Sequence, residues 1–362
     1  MKRSFEVTAV SSDAQRLQQF GKDQGVDIFH VDLTRKITPI KDLKAVVKLY
    51  KFLKKEKPSI VHTHTPKAGI VGMLASKLAG VPIRMHTVAG LPLMEVSGIK
   101  RRVLNIVEKL TYSLATKVYP NSRGLKEFIK EKLNSECKLK ILGNGSSNGI
   151  NTTHFSPTQV SDSKKCQLRI DLNITKNDFV FVFVGRLVGD KGINELVQAF
   201  TEVYKNHTNS KLLLVGPVET DLDPLLPNTL NEINQNIAIM YLGYQNDVRP
   251  YFAVSDVLVF PSYREGFPNV VLQAGAMGLP SIVSNINGCN EIITSDVNGV
   301  IIPVKDIQAI YKAMKKLIKD QSYYDKLQQQ SRLMIVEKYE QSEFWNVLLE
   351  EYHYLLKRYG NA

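Results

Sequence analysis

Short apolar runs recur along the whole chain, each followed by a stretch with helical spacing. In the first half they are "FEVTAV", "SIVHTH", "PIRMHTV", "KVYPNS" and "KLKILG"; in the second, "DFVFVFVG", "KLLLVG", "IAIMYLG", "DVLVFPS" and "PSIVS". Runs of this length bounded by Gly, Pro, Asn and Ser read as strands, and their alternation with helices predicts βαβ units around parallel sheets. The two sets are separated by "NTTHFSPTQVSDSKKCQLRIDLNITKND", which has no long apolar run and reads as a linker flanking a short helix. The pattern therefore predicts an α/β protein of two Rossmann-like domains, residues 1–160 and 161–335. A final segment, 336–362, carries Phe344, Val347, Leu348, Tyr352, Leu355 and Leu356 at helical spacing, so it is expected to pack back on the body as an amphipathic helix. Doubly wound sheets hold ligands beyond the carboxyl ends of their strands, so two of them facing each other would make a cleft.

Two strand-to-helix junctions in the second half carry chemistry. In "FVFVGRLVGDKGINELVQAF" a strand ends at Gly185, a short loop holds Arg186 and Lys191, and a helix begins near Gly192. Unpaired N–H groups at a helix start attract anions, and a guanidinium with an ammonium beside them suits a diphosphate. There is no GK[ST] ending and no GxGxxG after a first strand. Taken alone, the loop fits an ordinary βα turn with two surface cations better. The second junction, "PSYREGFPNVVLQAG", sets Glu265 and Gly266 just before a helix entered through Pro268, with Gln273 one turn in. Glu265 there either faces a ligand or caps the helix.

Charge divides the chain unevenly. The 362 residues hold 47 Lys+Arg and 35 Asp+Glu for a net +12, and residues 1–160 alone carry +15, leaving −3 for the rest. A basic surface in the first half could meet nucleic acid, an anionic membrane or a polyphosphate. No aromatic interleaving, zinc spacing or helix-turn-helix signature supports nucleic acid as a partner. The lysine stripe Lys41, Lys44, Lys48, Lys51 and Lys55 reads as the solvated face of a helix. In "GLPLMEVSGIKRRVLNIVEKL", Leu91, Leu93 and Met94 precede Lys100, Arg101 and Arg102, which fits either an apolar wedge docking on an anionic leaflet or a loop packed inward. Cys137, Cys166 and Cys289 are far apart and odd in number, so neither a disulfide framework nor a zinc site is suggested, and a reducing cytoplasm is expected.

The joint spacing of "GRLVGDKG" and "PSYREGFPNVVLQAGAMGLPSIVSNINGCNEII" resembles the donor-binding half of the retaining GT-B glycosyltransferases of family 4. "VHTHTPKAGIVGMLASKLAGVPIRMHTVAG" resembles the acceptor half of its capsular-polysaccharide and lipid-linked-oligosaccharide members, which are bacterial surface-glycan enzymes. The resemblance implies a nucleotide-sugar donor, a lipid-linked glycan acceptor and peripheral attachment at the inner membrane face. It implies no cofactor and no metal; "DLD" at Asp221–Asp223 looks like a metal-binding DxD but lies in a Pro-rich loop and reads as a turn. By position it assigns Gly185, Arg186, Lys191, Gly266, Phe267, Asn269, Val270, Gln273 and Glu291 to the donor, and Glu265 and His86 to the transferred sugar. Lys67, Lys100, Arg101 and Arg102 fall on the acceptor or membrane face. The family usually has a second glutamate where this chain has Gln273, and an amide loses charge assistance toward ribose hydroxyls. A sugar-nucleotide epimerase and a catalytically weak assembly partner remain alternatives. Finally, "FEVTAVSSDAQRLQQFGKDQGVDIFHVDL" resembles the second strand, helix and third strand of such enzymes, so the first strand and its glycine loop are expected to be missing and the first domain to be the less stable one.

Overall fold

The computed structural model describes residues 2–34, 38–90, 98–133, 138–221 and 223–360. It divides into two compact units, residues 1–147 with 343–362, and residues 148–342. The boundaries therefore fall at 147/148 and 342/343, where the chemical pattern suggested 160/161 and 335/336. The reason is local. Ile150 is buried in the second unit's core, its backbone bridges Glu340, and Arg332 donates to the carbonyls of Thr152 and Phe155 at 2.9 Å each, so the linker's first residues belong to the second unit.

The first unit contains β1 (Thr8–Ser11), α1 (Ala14–Gln24), β2 (Asp27–His30), α2 (Pro39–Glu56), β3 (Ile60–Thr63), α3 (Pro66–Ala79), β4 (Ile83–Val88), α4 (Gly98–Leu114), β5 (Lys117–Pro120) and α5 (Arg123–Leu133). Asp13 caps α1 and Thr65 caps α3, each accepting a backbone N–H, and Pro39 and Pro66 open their helices where a missing N–H costs nothing. All pairings are parallel, but they form two separate sheets, β1-β2 and β3-β4-β5, and among the described residues no ladder joins β1 to β3. "KLKILG" does not form the expected strand. Leu139 makes only an isolated bridge to Val118, while Leu139 and Leu142 pack into different apolar clusters.

The second unit contains α6 (Asp162–Asp171), β6 (Phe179–Val184), α7 (Ile193–Asn206), β7 (Ser210–Val215), α8 (Pro227–Gln235), β8 (Ile239–Tyr241), α9 (Arg249–Ala253), β9 (Val257–Phe260), α10 (Asn269–Ala276), β10 (Ser281–Ser284), α11 (Cys289–Ile292), β11 (Gly299–Ile302), α12 (Ile307–Lys319) and α13 (Gln321–Tyr339). One parallel sheet of order β11-β10-β9-β6-β7-β8 runs through it. β6 (FVFVFV) and β9 (VLVF) are apolar at every position because helices cover both faces of such a sheet. β11, four residues after a turn, was not among the expected strands.

The last helix, α14 (Gln341–Tyr359), returns to the first unit, as its apolar stripe implies. Phe344 and Leu355 join a buried cluster with Ile83, Met85 and Tyr119. The Tyr119 hydroxyl donates to the buried Glu351 at 2.9 Å and Lys140 pairs with the same carboxylate, so a charge carried inward by the helix is fully engaged.

Candidate active site

β6 and β9 are neighbours at the middle of the second unit's sheet, with Phe181 opposite Val257 and Val182 opposite Leu258. On one side of this pair the order runs β6-β7-β8, on the other β9-β10-β11. The winding reverses here, and such a switch point is where open α/β sheets hold ligands, beyond the carboxyl ends of the strands. The loops leaving β6 and β9 are the two that the sequence singled out. Arg186 and Lys191 follow β6; Glu265 and Gly266 follow β9.

Backbone and side-chain bonds tie the loops together. The Tyr263 N–H donates to the Asp190 carbonyl at 2.8 Å, and the Arg264 guanidinium pairs with the Asp190 carboxylate at 2.6 Å. Gly192 precedes α7 with φ 71°, and a Cβ there would collide with the Pro261 carbonyl, so only glycine lets the two loops approach this closely. The geometry fixes both helix starts at this switch point. No side chain caps α7 or α10, leaving the first N–H groups of each helix, those of Asn269 and Val270 included, without intrahelical partners.

Inside this frame the Lys191 ammonium lies 2.5 Å from Glu265 Oε1, and the Ser262 hydroxyl donates to the same oxygen at 3.2 Å. Arg186 pairs with Glu219 at 2.6 Å. Phe267 turns its ring into the core against Tyr339, centroids 5.6 Å apart, and thereby anchors the loop that carries Glu265. Gln273 is half-buried one turn into α10. Glu291 lies in α11, and its carbonyl accepts the Tyr339 hydroxyl at 2.9 Å.

Several supporting groups went unnoticed in the sequence. Asn287 donates its amide to the carbonyls of Glu265 at 3.2 Å and Gly266 at 2.7 Å, and a Cβ on Gly288 would sit 2.6 Å from the Gly266 carbonyl. Asp223, from the supposed metal motif, instead accepts the Asp190 N–H at 2.5 Å, holding the Lys191 loop from behind. Among the described residues no three His, Cys, Asp or Glu side chains converge as a metal site. Cys289 is buried at the start of α11, close enough to Glu265 and Lys191 to sense both charges, and burial first, then Glu265, raises its thiol pKa well above the usual range.

In the first unit, His86 lies within β4 and is 1% exposed. Its Nδ1 shares a hydrogen bond with the Thr63 hydroxyl at 2.8 Å, and burial, reinforced by His64, lowers its pKa to about 4. The imidazole is therefore neutral at pH 7. His62 bridges the hydroxyls of Tyr352 and Thr87 at 2.7 Å each and is likewise held neutral by burial. Lys67 is half-buried and paired with Asp42 at 2.6 Å. Leu91, Leu93 and Met94 lie outside the described residues, but α4 itself shows Ile99, Val103, Ile106 and Leu110 exposed by 80%, 40%, 65% and 44%. Their spacing of four, three and four puts them on one stripe, next to exposed Lys100 and Arg102 and half-buried Arg101.

A doubly wound unit with a cation–carboxylate pair at its switch point, and a further unit of parallel sheets in the same chain, define the GT-B architecture. The chain belongs to the family 4 GT-B glycosyltransferases. Residues 165–334 match the family described as glycosyl transferases group 1 and residues 1–145 the glycosyl transferase 4-like domain. It is 34% identical to the capsular polysaccharide biosynthesis glycosyltransferase CapM of Staphylococcus aureus over 98% of this chain and 92% of that protein. Against an Escherichia coli UDP-Gal:alpha-D-GlcNAc-diphosphoundecaprenol alpha-1,3-galactosyltransferase it is 32% identical over 87% of this chain and 81% of that protein. The fold matches that of HepE from Anabaena, crystallised with UDP and glucose, at TM-score 0.81 and 18% identity over 96% of this chain and 91% of that one. The chain is thus a glycosyltransferase, and the epimerase alternative is set aside.

Proposed function

We propose that the protein transfers a hexose or N-acetylhexosamine from a UDP-sugar to a lipid-linked saccharide, with retention of configuration, at the inner face of a bacterial membrane. The observation that carries this reading is the Lys191–Glu265 pair between the loops that leave β6 and β9 at the switch point, with Arg186 on the same loop as Lys191. The names of the Escherichia coli and Staphylococcus aureus relatives support the lipid-linked acceptor and the capsule setting.

Breaking a sugar–diphosphate bond develops positive charge at the anomeric carbon and negative charge on the departing phosphate. Arg186, Lys191 and the open starts of α7 and α10 stabilise the second; Gly185, Gly266, Phe267, Asn269 and Val270 line the backbone around it. Glu265 meets the sugar hydroxyls, and Gln273 and Glu291 complete the donor contacts. His86, which the resemblance assigns to the sugar, is buried and neutral, so it serves as a hydrogen-bonding group and not as an acid. The apolar stripe of α4, flanked by Lys100, Arg101 and Arg102, lies on an anionic leaflet, the surface on which a lipid-linked acceptor is found. Lys67 belongs to the same acceptor side.

Glu265→Gln keeps shape and removes charge. It should lower turnover about 10²–10³-fold while leaving the melting temperature within a few degrees. Unchanged turnover, read by mass spectrometry of products from a panel of UDP- and GDP-sugars, would remove the role assigned to Glu265. Arg186→Ala and Lys191→Ala should instead weaken UDP binding measured by calorimetry.

A further inference from the structure

Both cations assigned to the diphosphate have carboxylate partners within the protein. Lys191 holds Glu265, which the reaction itself requires; Arg186 holds Glu219, which it does not. Glu219 is placed by backbone, not by chance. It follows β7, and the loop after β7 runs beside the loop after β6: the Leu187 N–H donates to the Pro217 carbonyl at 2.8 Å, and Leu187 bridges Val218. Gly216 packs so closely on Gly185 that a Cβ would collide with the Gly185 carbonyl. These contacts leave Glu219 one residue beyond the bridge, with its Oε2 2.6 Å from Arg186 Nη1.

We infer that Glu219 is an affinity-setting residue: its carboxylate occupies Arg186 in place of the donor's phosphate and returns to it when the nucleotide leaves. The inference rests on the donor role proposed for Arg186. A carboxylate and a phosphate oxygen present the same charge and acceptor geometry to a guanidinium, so the incoming diphosphate exchanges one anionic partner for another. The pair is 47% and 36% exposed, so solvent screens it, and the penalty for displacing it is small. A small penalty suits turnover. It loosens the product nucleotide without closing the site to the donor.

The opposite arrangement is also physical: Arg186 could hold Glu219 and phosphate together, with Glu219 orienting the guanidinium. Calorimetry with UDP separates the two. Under competition, Glu219→Gln binds UDP roughly two- to fivefold more tightly, the range for one screened ion pair, and UDP inhibits the reaction correspondingly more. Weaker or equal binding by Glu219→Gln overturns the inference. The gain must also vanish when Glu219→Gln is combined with Arg186→Ala; a gain that persists overturns it as well. Arg186→Ala alone distinguishes the levels: if it leaves UDP binding unchanged, the donor role of Arg186 falls and the competition falls with it, whereas weakened binding there beside an unchanged Glu219→Gln removes the competition alone.

Discussion

The two units solve the same folding problem with different degrees of completeness. In the second, a single six-stranded sheet carries one continuous apolar core from Ile150 to Tyr339 among the described residues. In the first, the strands form sheets of two and three, and the buried apolar residues fall into three small clusters. Val10 and Ile28 on the two-stranded sheet, Phe20 on α1, and Ile40, Leu43 and Val47 on α2 stay exposed. A split sheet leaves ladder groups for water to satisfy and apolar surface uncovered, so less of the chain's conformational entropy is offset. Charge follows the same division, with +14 in residues 1–147 and 343–362 against −2 in residues 148–342. The proposed donor residues thus stand on the unit with one continuous core, and the basic, apolar-striped face of α4 on the unit whose core is divided.

The sharpest way to break that contrast is to damage the better core. Phe183 is fully buried near the carboxyl end of β6 and stacks on Phe260 with centroids 5.8 Å apart. Phe183→Ala should cost about 3–5 kcal/mol and lower the higher of two unfolding transitions by calorimetry. The single tryptophan, Trp345, lies in α14 within the first unit, so its fluorescence reports the lower transition, which should stay in place. One shared transition for both probes would show that the units do not differ in stability.

Acid should act on the first unit next most strongly. His86 has its pKa lowered to about 4 by burial and His62 is lowered too, while an unfolded histidine titrates near 6.5. Between pH 6.5 and 4 the unfolded chain therefore binds protons that the native unit does not, and stability falls as pH falls through that window. Above 6.5 the full stability is present. His86 alone contributes about 3 kcal/mol to the loss. Urea titrations followed by Trp345 at pH 7.5 and 5 should show a lower midpoint at pH 5; an equal midpoint would mean that the buried imidazoles titrate normally.

How far the sequence disclosed this depends on how local the signal is. β6, β7 and β9 are apolar runs ending in Gly or Pro, and the glycine and proline of "REGFPN" mark a helix entry, so the strands, their loops and the assignment of charge to those loops could be read directly. "KLKILG" carries the same alternation but lacks a ladder, because Lys138 reaches back to the carbonyls of Tyr112, Ser113 and Ala115 at the end of α4 and draws the segment there. Asp223, Asn287 and Glu219 act on loops far from them in sequence, and no spacing rule connects positions brought together only by sheet order. The four-three-four period of Ile99, Val103, Ile106 and Leu110 in α4 was not singled out in the sequence, and exposure is not written in a period, since the same spacing usually marks a buried face.

That stripe gives the mildest test, because each contact is weak and the effect is a sum. Each lysine or arginine near an anionic surface contributes about 1 kcal/mol, attenuated by salt, and the apolar residues add burial that salt does not attenuate. If the basic unit is the one that meets the membrane, the intact protein should sediment with vesicles containing phosphatidylglycerol and hardly with pure phosphatidylcholine. Replacing Lys100, Arg101 and Arg102 by Gln should remove most of the binding seen at low salt. Ile106→Ser, which touches only the exposed face of α4, should weaken binding at low and high salt alike. The two variants separate the terms: an Ile106→Ser protein that binds as tightly as the parent leaves electrostatics alone, and equal binding to neutral and anionic vesicles removes the charge of the first unit from any role at the membrane.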